Sequence, residues 1–265
     1  MTDSILLSIE SGLARVTFHR PASLNAMDFE MGARWRDIAH DVTSDDSVGA
    51  VILDAVGPAF CAGGDVIAMG SSGAAGMDVT GAAHVIHDGI RTFVESDKPI
   101  VAAVQGAVAG GGLGLMLTAD YIVSSDAAKF VSRYANIGLT PDLGVSTLLP
   151  AAIGQRRALQ LLLQDTTIDA ATALDWGLVT EVVAPDAVAD RTAEVARFWL
   201  ENSTAAFGQA KRLVRTGVGR SFADNLDDEA RSIGARFDTT DAKTRIMAFA
   251  MRAAERAAAK KKENS

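Results

Sequence analysis

The stretch Ile100-Val101-Ala102-Ala103-Val104, then Gly110-Gly111-Gly112, then Leu113-Gly114-Leu115-Met116-Leu117 decides how this chain folds. Its first part is an unbroken apolar run of strand length, which reads as a buried strand. Its last part reads as an apolar helix. The three glycines between them let another group approach the backbone closely. A helix N-terminus also carries unpaired N–H groups and a positive dipole end, and both favour an anion. A second segment has the same character: the strand Ala50-Val51-Ile52-Leu53-Asp54, then the glycine turn Phe60-Cys61-Ala62-Gly63-Gly64-Asp65. Two N–H groups aimed at one point would make an oxyanion hole. Two ordinary strand-to-helix turns would look the same in sequence.

Outward from these turns the chain alternates. Strand 50–54, helix 83–95, strand 100–105, helix 112–118 and strand 120–124 predict α/β layering. Upstream, Ile5 to Ile9 and Ala14 to Phe18 read as a hairpin about Ser11-Gly12, stopped by Pro21. A helix is expected from Asp28 to Val42, with Phe29, Met31, Trp35 and Ile38 towards the core. Gly70 to Gly81, rich in Gly, Ser and Ala, reads as a mobile loop, and the loop 66–82 is expected to shape a pocket. After about residue 200 the texture becomes helical, at 203–216, 222–237 and 241–260, with an N-cap within Asp238-Thr239-Thr240-Asp241. The expected division is therefore a core over 1–200 and a C-terminal helical region over 201–265.

Bulk properties narrow the function classes. A chain of 265 residues with 48% apolar content supports one sizeable core, with or without an appendage. No apolar run approaches the ~18 residues of a membrane helix, and the acidic, polar opening is unlike a signal peptide. A net charge of −8 argues against nucleic acid as a partner. The single cysteine, Cys61, excludes an internal disulfide and suits a cytoplasmic location. It reads as a packed side chain, as do Trp35, Trp176 and Trp199. Four scattered histidines give no metal-ligand spacing. Asp120 reads as a structural cap. The basic run Lys211-Arg212-Leu213-Val214-Arg215 reads as a solvated helix face or a phosphate contact. Lys260-Lys261-Lys262 reads as a solvated terminus.

With both glycine segments placed, the chain resembles the enoyl-CoA hydratase/isomerase (crotonase) superfamily over nearly its whole length. The resemblance rests on His19-Arg20-Pro21 with Leu24-Asn25-Ala26, on Ala59 to Asp65, on Gln105 to Gly112, on Ala128-Lys129-Phe130, and on Ile137-Gly138-Leu139-Thr140-Pro141-Asp142. It implies a spiral of ββα turns with a C-terminal helical, trimerising region, assembled as a homotrimer or a dimer of trimers. It implies an acyl-CoA substrate, with CoA arriving as part of it and no metal or redox cofactor. The N–H groups of Gly64 and Gly111 would hold the thioester oxygen, and Ala62 and Asp65 would line the CoA path. Asp65 reads equally as the cap of the following turn. Phe249 and Arg252 match positions that meet the CoA of a neighbouring subunit.

The chemistry departs from the hydratases of that superfamily. Those enzymes place two glutamates on water; the corresponding positions here are Gly114 and Tyr134. Asp142 remains. In isomerases with a similar Ile-Gly-Leu-x-Pro-Asp segment an aspartate is the base, and one carboxylate suffices to move a proton along an enolate. The expected activity is double-bond isomerisation by Asp142, with Tyr134 near the acyl pocket. Hydration is an alternative. A further alternative is aryl-CoA dehalogenation or hydrolysis, with Asp142 as nucleophile and His87 as base, though His84 and His87 at i, i+3 also read as a solvated or core-edge pair. A non-catalytic acyl-CoA binder is a third.

Overall fold

The computed structural model describes residues 3–71 and 73–263, with side chains as far as residue 256, so Lys260 to Lys262 lie outside the described side chains. Strands β1 (Ile5–Glu10) and β2 (Leu13–Phe18) form the expected hairpin. Helix α1 (Phe29–Ser44) is capped by Asp28, whose side chain accepts from Met31 N at 2.8 Å. Its buried stripe is Met31, Trp35, Ile38 and Val42. Phe29 is 41% exposed, against expectation. It stands two residues before Met31, about 200° round the helix, and so faces away from that stripe.

Three ββα turns follow. They are β3 (Ala50–Ala55), β4 (Ala59–Cys61), α2 (Val66–Ser71) and α3 (Gly76–Glu95); then β5 (Ile100–Val104), β6 (Ala107–Ala109) and α4 (Gly111–Met116); then β7 (Tyr121–Ser125), β8 (Lys129–Val131) and α5 (Val145–Gln164). Next come β9 (Ile168–Asp169), α6 (Ala170–Trp176), β10 (Glu181–Val183) and α7 (Val188–Glu201). The first strand of each turn joins a sheet ordered β1-β2-β3-β5-β7-β10, and the second joins a sheet ordered β4-β6-β8-β9. Pairing within the repeats is parallel, as crossover connections require. This is the ββα spiral, and it stacks the strand-to-helix turns of successive repeats side by side.

The Gly70–Gly81 stretch is mostly helical rather than a loop, because α3 starts at Gly76. Asp78 secures that start by accepting from Ala75 N at 2.8 Å. The rest of α3 packs closely on α1. A methyl group built on Gly32 would lie 2.7 Å from Ile86 Cγ1, and one on Gly89 would lie 2.6 Å from the Trp35 ring. Phe18 stacks between Trp35 and Phe60, with ring centroids 5.9 and 5.4 Å away.

The C-terminal helices are α8 (Thr204–Gly217), α9 (Phe222–Phe237) and α10 (Thr240–Glu263). Thr239 caps the last, accepting from Ala242 N at 3.2 Å. The basic run in α8 is not a solvated face. Lys211 is buried; it donates to the carbonyls of Phe93 at 2.8 Å and Lys98 at 2.7 Å and pairs with Asp120 at 3.2 Å. Arg215 also pairs with Asp120, at 3.0 Å, and Arg212 pairs with Asp228 at 2.7 Å. Asp120 meanwhile accepts from Ile100 N at 2.9 Å, so it ties α8 to the β5 strand. Among the described residues no helix is long and apolar enough to cross a membrane.

Candidate active site

The first glycine turn is held from below by Asn25, which is fully buried. Its side chain accepts from Arg20 N at 2.8 Å and donates to the carbonyls of Val56 at 3.0 Å and Ala59 at 2.8 Å. Two residues on, Met27 N donates to Gly63 O at 2.7 Å and Met27 O accepts from Asp65 N at 2.9 Å. The neighbours of Gly64 thus bond Met27, and in an extended chain alternate N–H groups point to opposite sides. The Gly64 N–H is therefore turned away from Met27.

The second turn comes up against the first. Gly63 has φ +97°, and a methyl group on it would lie 2.9 Å from Ala109 O and 3.2 Å from Gly111 N. Gly110 has φ 52° and ψ −126°, a conformation reserved for glycine. Gly111 opens α4, so its N–H has no intrahelical acceptor. Among the described residues, neither the Gly64 nor the Gly111 N–H donates to a protein acceptor. Helix α4 is only six residues long, so the two donors matter more than its dipole.

Asp142 stands at this junction. A methyl group on Gly111 would have the Asp142 Oδ1 3.5 Å away. Tyr134 Oη donates to that same oxygen at 2.6 Å, leaving Oδ2 without a protein hydrogen bond among the described residues. Tyr134 is 7% exposed. Burial first, and then the Asp142 charge, push its phenol well above the ordinary tyrosine range, so it stays a neutral donor. Two further groups fix the pair. Asp165 accepts from Arg133 N at 2.6 Å, Arg133 Nη1 at 2.9 Å and Asn136 Nδ2 at 2.6 Å, so it holds the Arg133 backbone before Tyr134 and the Asn136 side chain after it. On the other side, His87 Nε2 accepts from Leu143 N at 3.1 Å.

Position 114 has no room for a side chain. A methyl group built on Gly114 would lie 1.9 Å from Leu143 O and 2.8 Å from Leu143 C. The turn that carries Asp142 occupies the space where a longer residue at 114 would begin.

An enoyl-CoA hydratase/isomerase family model matches residues 8–257. The chain belongs to the enoyl-CoA hydratase/isomerase family. It is 31% identical to the 1,2-epoxyphenylacetyl-CoA isomerase of Escherichia coli (strain K12), over 86% of this chain and 88% of that protein. It is also 31% identical to the 4-chlorobenzoyl coenzyme A dehalogenase-2 of an Arthrobacter species, over 86% of this chain and 84% of that protein. A solved structure described as an enoyl-CoA hydratase/isomerase from Mycobacterium abscessus superposes with a TM-score of 0.86 at 33% identity, covering 94% of this chain and 96% of that one.

The remaining residues that this hydratase/isomerase sequence suggested are placed as follows. Ala62 is half-buried at the end of β4 and donates to Leu24 O at 3.0 Å. Asp65 caps α2, accepting from Ala68 N at 3.0 Å, and pairs with Arg20 at 3.0 Å. Those two contacts, the Ala68 hydrogen bond first, hold its carboxyl below the usual range against the cost of burial. Phe249 and Arg252 are exposed on α10, and no hydrogen bond or ion pair joins either to the glycine turns. His87 is half-buried, and its ring stands edge-on to His84 at 6.4 Å between centroids. Two clefts lie apart from the Asp142 junction. One of about 490 Å³ is lined by Ser4, His19, Arg20 and Asp28, and one of about 680 Å³ lies between α5 and α8. At the site itself Gly64 and Asp142 are exposed, while Gly111 and Tyr134 are buried. Sequence reading did not find Asp165 as a clamp, since nothing local links it to Arg133 across 32 positions.

Proposed function

We propose that this member of the family is an enoyl-CoA isomerase in which Asp142 alone shuttles the proton. The acyl-CoA thioester oxygen sits between the Gly64 and Gly111 N–H groups. The Asp142 Oδ2 takes a proton from the carbon next to the thioester carbonyl. The electron pair moves into the dienolate, whose oxygen gains negative charge and is stabilised by the two fixed donors. The same acid returns its proton two carbons along, so the double bond shifts and no atom is gained or lost. Such a step calls for no metal or redox partner, and CoA enters as part of the substrate.

The observation that carries this reading is the contact between Gly114 and the Leu143 carbonyl. A second carboxylate at 114 would collide with the turn that holds the first. Two-acid activation of water is thereby disfavoured, and a single acid at the glycine pair is what is left. The Tyr134 hydrogen bond holds one oxygen of Asp142 and leaves the other without a protein partner among the described residues. An aspartyl-ester hydrolase would need His87 as base, and the Nε2 lone pair is already taken by Leu143 N–H. A carboxylate beside the two glycine turns also favours an enzyme over a mere binder.

A homotrimer or a dimer of trimers is part of the proposal. Phe222, Leu226, Ile233 and Phe237 form one apolar stripe on α9 and are exposed in the single chain, with Phe222 at 80%. A neighbouring copy would cover such a stripe and bring Phe249 and Arg252 to CoA. A cytoplasmic location is proposed on the lone buried cysteine.

The test is turnover of a 3-enoyl-CoA, a 2-enoyl-CoA and a 4-halobenzoyl-CoA in deuterium oxide, with mass spectrometry of the products. A double-bond shift with deuterium in the acyl chain and no added water is the expected result. Gain of one water by the 2-enoyl ester, or release of halide, would replace the isomerase reading with hydration or dehalogenation.

A further inference from the structure

The turn that carries Asp142 is unusual in its backbone. Leu143 has φ 48° and Gly144 has φ 80°, so two consecutive residues lie in the left-handed region. Leucine is rarely found there, and the conformation persists only where its surroundings impose it. Three features do so here. The Leu143 side chain is 2% exposed, Val145 N donates to Asp142 O at 3.0 Å, and Leu143 N donates to His87 Nε2 at 3.1 Å. Of these, only the histidine contact can be switched by a proton. A neutral imidazole accepts at one nitrogen and donates at the other, whereas an imidazolium donates at both. Protonation at Nε2 would set two donors against each other.

We infer that His87 is a positioning residue for Asp142: as a neutral acceptor it pins the Leu143 N–H, and on protonation it lets the Asp142 turn go. This rests on the reading of Asp142 as the reacting carboxylate. The Nδ1-protonated tautomer follows from the contact, because Nε2 has to present its lone pair. His87 acts through the backbone and touches no reacting atom, which separates it from the base of a hydrolase. His84 lies one turn earlier on α3, and Asp142 lies on the facing turn. On α3, Asp88 is taken up by His40 of α1 at 2.6 Å and by Arg91 at 2.8 Å, and Lys211 of α8 is bound at Phe93 and Lys98.

His87→Gln tests the inference, since a glutamine oxygen can accept from the same N–H and does not titrate. The first readout is the wild-type protein without substrate: nitrogen-15 NMR of the histidines, with His87 identified by its loss in His87→Gln. The inference expects an unprotonated Nε2 and a protonated Nδ1. A proton on Nε2 at neutral pH overturns it, whatever reaction the enzyme performs. The second readout is kcat for a 3-enoyl-CoA over about pH 5 to 8, the span in which imidazoles change charge. The wild type should lose activity on acidification, while His87→Gln should keep kcat within about threefold at neutral pH and show a flatter acid side. His87→Leu, which cannot accept, should lose kcat by about tenfold or more with KM little changed, as a misplaced reacting group does. A loss of about 100-fold in His87→Gln would make His87 a base and overturn the inference. If instead Asp142→Asn keeps full activity while the NMR tautomer is as expected, the isomerase reading fails and the histidine contact stands.

Discussion

Replacing Gly114 by alanine tests the geometry at its tightest point. The new methyl group would lie 1.9 Å from the Leu143 carbonyl oxygen, 2.8 Å from its carbon and 3.2 Å from Val145 Cγ2. A carbon–oxygen contact settles at about 3.3 Å or more, so the carbonyl has to retreat by about 1.4 Å. Neither partner is a flexible side chain: one is in α4 and the other is backbone in the Asp142 turn. The turn is the weaker of the two, because its backbone is already in the left-handed region and Asp142 beside the clash is exposed, although the Leu143 side chain is buried. Overpacking of this kind costs about 1–3 kcal/mol, and in a chain of this size each kcal/mol lowers Tm by about 2–4 °C. Activity should suffer more than stability, since a shift of about 1 Å at a reacting group can cost about 100-fold in rate. Gly114→Ala should therefore melt a few degrees lower, keep its fold by circular dichroism, and lose about 100-fold in kcat on the isomerised substrate. Gly114→Glu should fare worse and gain no hydratase activity. A Gly114→Ala protein with wild-type kcat and Tm would refute the argument that the turn fills this space.

The other predictions concern the surroundings of Asp142. Asp165→Ala should remove the clamp around Tyr134, lowering stability by only about 1 kcal/mol, since Arg133 and Asn136 are exposed and can turn to water, and lowering kcat by about tenfold; thermal melts with steady-state kinetics decide, and unchanged kcat would contradict it. In alkaline absorbance titrations on a Tyr121→Phe background, the Tyr134 phenol should ionise at lower pH in Asp142→Asn than with Asp142 present, because the negative charge that helps to raise it is removed while burial, the largest cause, remains. An unmoved or higher midpoint would break the Tyr134–Asp142 link. Cys61 is fully buried and its thiol is pushed up to about 12, so a thiol reagent at neutral pH should modify it only after denaturation; rapid labelling of the folded protein would show that β4 is not packed as described.

The layered fold was legible because its signals are local. Ile100 to Val104 is apolar at every position and is buried at every position, as a central parallel strand must be. The glycine turns were legible as turns, and the family resemblance named Gly64 and Gly111 as donors, but that the two turns meet was not legible, since it depends on pairing between β4 and β6. Besides Phe29, two readings failed for physical reasons. Composition made Gly70 to Gly81 a loop, whereas the Asp78 contact starts a helix there whose later residues, Ile86 and Phe93 among them, are the buried ones. Charge made Lys211 a solvated residue, whereas the chain ends of α3 supply carbonyls that bury it. At the site, the loss of glutamate at 114 was visible in sequence. The reason for it was not, because the Leu143 carbonyl that excludes a side chain arrives from 29 residues away by tertiary contact.

The central claim is that Asp142 is the single group moving the proton. The most direct measurement is kcat for a 3-enoyl-CoA with Asp142→Asn, which keeps the shape of the side chain and removes the base. The account predicts a loss of about 100-fold or more with Tm little changed; an Asp142→Asn enzyme that isomerises the substrate at close to the wild-type rate would contradict it.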